Sequence, residues 1–160
     1  MGDHNLELGI EINIDTPSEA GADRLVNAVA VKKFYQKSAI VVDFGTATTF
    51  DVVSKIGSYE GGVIAPGVNL SLEALYMAAS RLPRININNS YNKKVIGKNT
   101  KDSMGSGIYW GYISLIEGII EKIKRETQTN YLVIATGGLS NIFSKDCKAI
   151  DVVDEDLTIN

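Results

Sequence analysis

The sequence predicts an α/β lobe with helices packed on a mixed sheet, and three observations carry that prediction. Three β-rich runs follow one another through short glycine turns between Ala39 and Ala65, the arrangement of an antiparallel meander. A long pattern of helical period fills residues 100–126. A short apolar run, Tyr131 to Ala135, has the composition of a buried strand.

Taken in order, residues 1–14 alternate weakly through Leu6, Leu8, Ile10, Ile12 and Ile14, as a strand or an extended arm would. Asp15-Thr16-Pro17-Ser18-Glu19 then supplies a helix start. Thr16 is the expected N-cap, Pro17 the first helical residue, and Glu19 closes a capping box. The helix is expected to reach Gln36 and to bury Leu25, Val26, Val29, Ala30 and Phe34. Gly21 is an odd choice inside it, since glycine costs roughly 1 kcal/mol against alanine. It suits a close approach by another backbone or a ligand. Gly21-Ala22-Asp23-Arg24 therefore reads two ways: a base or orienter beside a ligand clamp, or a dipole-favoured acid beside its surface partner.

Asp43-Phe44-Gly45-Thr46-Ala47-Thr48-Thr49-Phe50-Asp51 reads as a β-hairpin turning at Gly45-Thr46. A glycine turn leaves backbone N–H groups accessible, the threonines add hydroxyls, and the flanking aspartates can anchor cations. Those groups suit a polyphosphate, although a threonine-rich hairpin needs no ligand to explain it. Gly57-Ser58 is a turn and Tyr59 to Ala65 a third strand, ended by Pro66-Gly67. Asn69 or Ser71 can cap a helix running to about Arg81, with Leu70, Ala74, Leu75 and Ala78 on its apolar side. Pro83 stops it, and Asn86 to Asn92 is a polar surface loop. Lys93, Lys94, Lys98 and Lys101 make the next segment basic, either as a solvated loop or as a lure for an anionic substrate.

The long helix, about Thr100 to Glu126, repeats Ile108, Tyr112, Leu115, Ile116, Ile119, Ile120 and Ile123. Gly105, Gly107, Gly111 and Gly118 interrupt it and invite close packing, including against another subunit. After the buried strand, Thr136-Gly137-Gly138 offers either a tight turn or room for a nucleotide's adenosine end. A short helix and a strand from Cys147 to Val153 finish the chain.

Composition narrows the function. A net charge of -3 and a pI near 5.2 argue against a nucleic-acid binder. No apolar run approaches the ~18–20 residues of a membrane span. Acids near the N-terminus and a lone cysteine, Cys147, point to a cytoplasmic location. Because the only histidine is His4, near the terminus, a proton-abstracting base is expected to be a carboxylate. Neither a G-x-x-x-x-G-K-[ST] nor a G-x-G-x-x-G motif is present, so P-loop and dinucleotide folds are not supported.

The hairpin at Asp43 to Thr49 resembles the second phosphate hairpin of the acetate/sugar kinase–Hsp70–actin superfamily. Within it, Gly21-Ala22-Asp23-Arg24, the hairpin, Gly61-Gly62-Val63-Ile64-Ala65-Pro66-Gly67 and Gly97-Lys98-Asn99-Thr100 occur in the order found in type III pantothenate kinases, and Thr136-Gly137-Gly138 adds a fifth feature. The resemblance implies a ribonuclease H-like, actin-like ATPase lobe and transfer of the ATP γ-phosphoryl group to pantothenate, the first step toward coenzyme A. It implies Asp23 as general base, Gly21, Ala22 and Arg24 as the rest of the substrate loop, and Arg24 as the partner of the pantothenate carboxylate. Asp43 would hold a potassium or ammonium ion. Thr46 and Gly45 would meet ATP phosphates, and Gly137 and Gly138 its adenosine end. Thr100 would meet pantothenate across a homodimer interface, and magnesium would arrive with ATP. The family's Asp-x-Gly-Asn-Thr hairpin does not occur in the sequence, and the family continues past Leu157-Thr158. Residues 1–160 are therefore expected to form one C-terminal lobe of a two-lobe kinase, weakly active alone. The alternatives are a non-catalytic dimerisation or regulatory remnant and a superfamily kinase acting on a sugar or acid.

Overall fold

A computed structural model of the chain describes residues 8–88 and 94–159. Its centre is a mixed five-stranded sheet in the order β3-β2-β1-β4-β5. The strands are β1 (Ala39–Phe44), β2 (Ala47–Val53), β3 (Tyr59–Pro66), β4 (Leu132–Gly137) and β5 (Val152–Val153). β1 pairs antiparallel with β2, and β2 antiparallel with β3, while β4 lies parallel to β1 on its other side and β5 parallel to β4. With a strand on either side and helices on both faces, β1 is buried almost throughout, which is why Ala39 to Val42 reads as an unbroken apolar run.

Alternation along the strands sorts the core into two layers. Ile40, Val42, Phe44, Phe50 and Val52 face α2 (Val68–Ala78), α3 (Thr100–Thr127) and α4 (Ser140–Ser144). Ala39, Val41 and Val53 face α1 (Ala22–Phe34), where Leu25, Ala28, Ala30 and Val31 close the second layer. In α3, Ile108, Tyr112, Ile116, Ile120 and Ile123 are buried, as their period predicts. Asn99 caps the helix by accepting the Asp102 N–H at 2.8 Å.

Several boundaries differ from expectation. Thr16 makes no side-chain capping bond, so Pro17–Glu19 forms only a 3-10 turn. The chain then extends at Ala20, and α1 begins after Gly21, which is its N-cap instead of an interior residue. The glycine penalty inferred above therefore does not arise. Val26 and Phe34 are exposed, because α1 is rolled to bring Asn27 and Arg24 onto the sheet. α2 is capped by Gly67 and not by Asn69 or Ser71, and it ends at Ala78. It buries Val68 and Leu72 and leaves Leu70 and Leu75 exposed, since a helix apolar nearly all round does not declare its inner face. β5 is confined to Val152–Val153; Cys147 is buried in the loop before it. The N-terminal arm makes one parallel bridge, Ile12 to Tyr59. His4, Leu6 and Lys93, and most of the Asn86–Asn92 loop, lie outside the described residues.

Candidate active site

Two glycines build the tip of the hairpin. The turn at Gly45-Thr46 is exposed and closes through Gly45 N–H to the Ala47 carbonyl at 3.1 Å. Gly67, at the end of β3, packs against the backbone of that turn: a Cβ there would lie 2.9 Å from the Gly45 carbonyl oxygen and closer still to that of Thr46. The Tyr112 hydroxyl of α3 sits 2.7 Å from the Pro66 carbonyl and 3.1 Å from that of Gly67. The long helix thus braces the tip from the opposite side of the sheet. Gly137, in register with Phe44 on β4, has φ +92, a left-handed conformation that favours glycine. A Cβ on it would meet the Phe44 backbone and lie 2.9 Å from Asp43 Oδ1. Gly138 is open, with nothing within 4 Å of the same position. Gly45, Thr46, Gly137 and Gly138 therefore meet at the carboxyl ends of the adjacent parallel strands β1 and β4, where open α/β sheets place ligands.

The acidic part of the site lies on the α1 side. Asp23 is in the first turn of α1, exposed, and its carboxylate makes no hydrogen bond or ion pair with the described residues. Arg24 turns inward. Its Nε donates to Asp51 Oδ1 at 2.5 Å, its Nη2 to the Phe50 carbonyl at 3.4 Å, and its guanidinium lies 5.6 Å from the centre of the Tyr59 ring. Gly62, opposite Asp51 in the β2–β3 ladder, leaves the floor on which this guanidinium rests. Asn27 Nδ2 donates to Asp51 Oδ2 at 3.1 Å and to Asp43 Oδ2 at 3.3 Å.

Burial pushes the Asp43 carboxyl above its ordinary value; the Asn27 hydrogen bond opposes the shift and the nearby Asp23 charge adds to it. Burial also pushes Asp51 up, against the opposing Arg24 charge and the bonds from Arg24 and Asn27, with Asp43 adding repulsion. A raised native carboxyl binds its proton more tightly than the unfolded chain does, so its contribution favours folding less as pH rises from the ordinary value of 3.8 through the raised one. Asp43→Asn removes that loss. In buffer free of potassium and ammonium, the variant is expected to melt above the wild type at pH 7, with the gap narrowing toward pH 4. A gap independent of pH would contradict this assignment.

Of the residues singled out from the sequence, the structure gathers Gly21, Ala22, Asp23, Arg24, Asp43, Gly45, Thr46, Gly137 and Gly138 around one end of β1. Thr100 stands apart. It begins α3, on the other face of the sheet from α1, beside a shallow cavity of about 660 Å³ lined by Leu75, Leu82, Lys98 and Met104. Sequence reasoning missed Asn27, an asparagine in mid-helix, and left Asp51 as a generic flanking acid. The readable signal was spacing: Asn27 lies one turn after Asp23, on the same helix face.

A profile of the type III pantothenate kinase family matches residues 1–122. Relatives named type III pantothenate kinase occur in Paramagnetospirillum magneticum, 54% identical over 99% of this chain and 60% of theirs, and in Caulobacter vibrioides, 51% identical over 97% and 59%. The chain thus spans about 60% of the length of the relatives it matches. Among solved structures, a Baf family protein from Campylobacter jejuni superposes with a TM-score of 0.60 at 21% identity, over 84% of this chain and 59% of that one. The subunit of the Alp12 filament does so with 0.54 at 17%, over 84% and 48%. At those identities both likenesses speak to the fold alone. The sequence matches, which cover nearly the whole chain and include the Asp23, Asp43 and Gly137 segments, place it in the type III pantothenate kinase family.

Proposed function

We propose that this chain is the C-terminal, actin-like lobe of a two-lobe cytoplasmic kinase that phosphorylates pantothenate with ATP, opening coenzyme A synthesis. One observation supports it most: a carboxylate without a hydrogen-bond or ion-pair partner among the described residues, Asp23, lies beside a half-buried one, Asp43, at the strand ends that also carry the glycine turns. Phosphoryl transfer asks for this inventory of positioned donors, cations and one base. Asp23 takes the proton of the pantothenate hydroxyl as its oxygen attacks the γ-phosphorus and the bond to the β-phosphate oxygen breaks. Arg24 meets the pantothenate carboxylate, with Gly21 and Ala22 shaping the loop. Thr46 and Gly45 meet ATP phosphates, and Gly137 and Gly138 leave room for adenosine.

Asp43 is all-oxygen, held by a single amide, and raised by burial and negative charge, which suits a hard cation such as potassium or ammonium. Among the described residues no group of three or more His, Cys, Asp or Glu is placed to hold a metal ion. Magnesium bound chiefly through ATP phosphates fits that inventory. Since Thr100 lies across the sheet from Asp23, its proposed contact with pantothenate belongs to the site of a second copy. The α2 side chains Leu70, Leu75 and Met77 are exposed, and Gly107, Gly111 and Gly118 of α3 have open space beside them, so these helices are the proposed interface.

The test is a substrate panel on the intact protein. ADP release is expected with pantothenate and not with sugars or short acids, and sedimentation is expected to give two copies. Release with a sugar alone would move the chain to another kinase of the superfamily, and none with any acceptor would favour a non-catalytic role.

A further inference from the structure

The hairpin carries two acids on the face where its alternation otherwise places core residues. Asp43 pairs with Thr49 and Asp51 with Val41, so the two aspartates are diagonal neighbours facing α1. Diagonal positions sit about 7–8 Å apart, near enough for two carboxylates in a dry layer to repel. Asp51 is fully buried and Asn27 is 1% exposed. An amide nitrogen carries two hydrogens, and here one goes to each carboxylate. Asn27 therefore fastens both hairpin strands to the helix that carries Asp23 in its first turn. Asp51 also fixes Arg24. With Nε on Asp51 and Nη2 on the Phe50 carbonyl, Nη1 is bound by none of the described residues. A guanidinium held along one edge presents its remaining N–H groups in a set direction.

We propose that Asn27 and Asp51 are positioning residues of the transfer site: Asp51 aims Arg24 Nη1 at the substrate carboxylate, and Asn27 sets the separation between Asp43 on the hairpin and Asp23 on α1. The assignment rests on the pantothenate kinase reading. Neither residue touches the reacting atoms; each acts through a neighbour that does. The Asn27 Oδ1 atom is buried and has no hydrogen-bond partner among the described residues, so the two carboxylates on Nδ2 orient this amide.

The experiment uses the intact enzyme, with steady-state kinetics, pantothenate calorimetry and a thermal melt for each variant. Asp51→Asn is expected to raise the pantothenate KM about 10–100-fold, with a smaller effect on kcat. Arg24→Gln should do the same, and adding Asp51→Asn to it should change KM by less than about threefold, because the carboxylate acts through the guanidinium. Asn27→Ala should instead lower kcat at least about tenfold and raise the half-saturating potassium concentration. Independent, multiplying effects of Arg24→Gln and Asp51→Asn would mark Asp51 as merely structural and overturn the proposal. Should Asp51→Asn melt out, Arg24→Lys decides: lysine has no second nitrogen to offer once paired, so a KM within about twofold of wild type would overturn it. A wild-type enzyme that neither binds nor phosphorylates pantothenate overturns the kinase reading and this proposal with it. Normal wild-type turnover with unmoved KM values overturns this proposal alone.

Discussion

Asp23→Asn is expected to lower pantothenate-dependent turnover of the intact protein by about 10²–10⁴-fold, the usual contribution of a positioned base. The substitution keeps the size and shape of the side chain and removes its ability to take a proton. Asp23 is exposed in the first turn of α1 and bonds no other side chain among the described residues, so the fold has little to lose. The helix dipole there favours a carboxylate by about 0.3–1 kcal/mol, and loss of that term is too small to unfold the lobe. Pantothenate KM should move far less than kcat, since Arg24 and the surrounding loop stay in place. Continuous measurement of ADP release checks both. Turnover within about tenfold of wild type would strip Asp23 of its role as base and send attention to Asp43, the other carboxylate at the strand ends.

Gly62→Ala is expected to destabilise the chain by about 3 kcal/mol or more, through overpacking against rigid backbone. A Cβ at this position would overlap the Phe50 carbonyl, come within 2.9 Å of its carbon and lie 2.6 Å from Arg24 Nη2. Arg24 cannot swing away cheaply, because that would strand a fully buried Asp51 without its guanidinium. Neither β2 nor β3 can retreat without breaking the ladder beside the register shift between Asp51 and Val53. For a domain of this size the midpoint should fall by roughly 6–12 °C, at about 2–4 °C per kcal/mol. A circular-dichroism melt reads this directly on the chain as it stands. A shift under about 2 °C would mean that the sheet relaxes freely there, and that Gly62 does not form the floor under Arg24.

The two predictions draw on different kinds of legibility. Asp23 was a candidate because Gly21-Ala22-Asp23-Arg24 admits a base beside a clamp as well as a dipole-favoured acid, and because a chain with so little histidine and cysteine turns to carboxylates for a base; only the family resemblance pointed to the first reading. Gly62 was readable only as part of a glycine pair inside the third strand and the Gly61-Gly67 motif. Its reason for being glycine, the close approach of the Phe50 carbonyl on the neighbouring strand and of Arg24 from a helix 38 residues earlier in sequence, belongs to the packing. The α1 face was misread for the same cause. Periodicity assumes that polar residues turn outward, whereas Asn27 and Arg24 turn inward because the strands beneath carry charges that require partners.

By itself the sequence determined the strand meander, the long helix, the buried strand at Tyr131 to Ala135 and the local motifs, since each depends on period, turn chemistry and residue type within a short window. The tertiary structure alone decided three things. It set the start of α1 after Gly21, placed Thr100 across the sheet from Asp23, and joined Asp51 and Asn27 to Arg24 and Asp43. These depend on which elements share a face, and desolvated charges choose their partners by proximity in space, which no local pattern encodes.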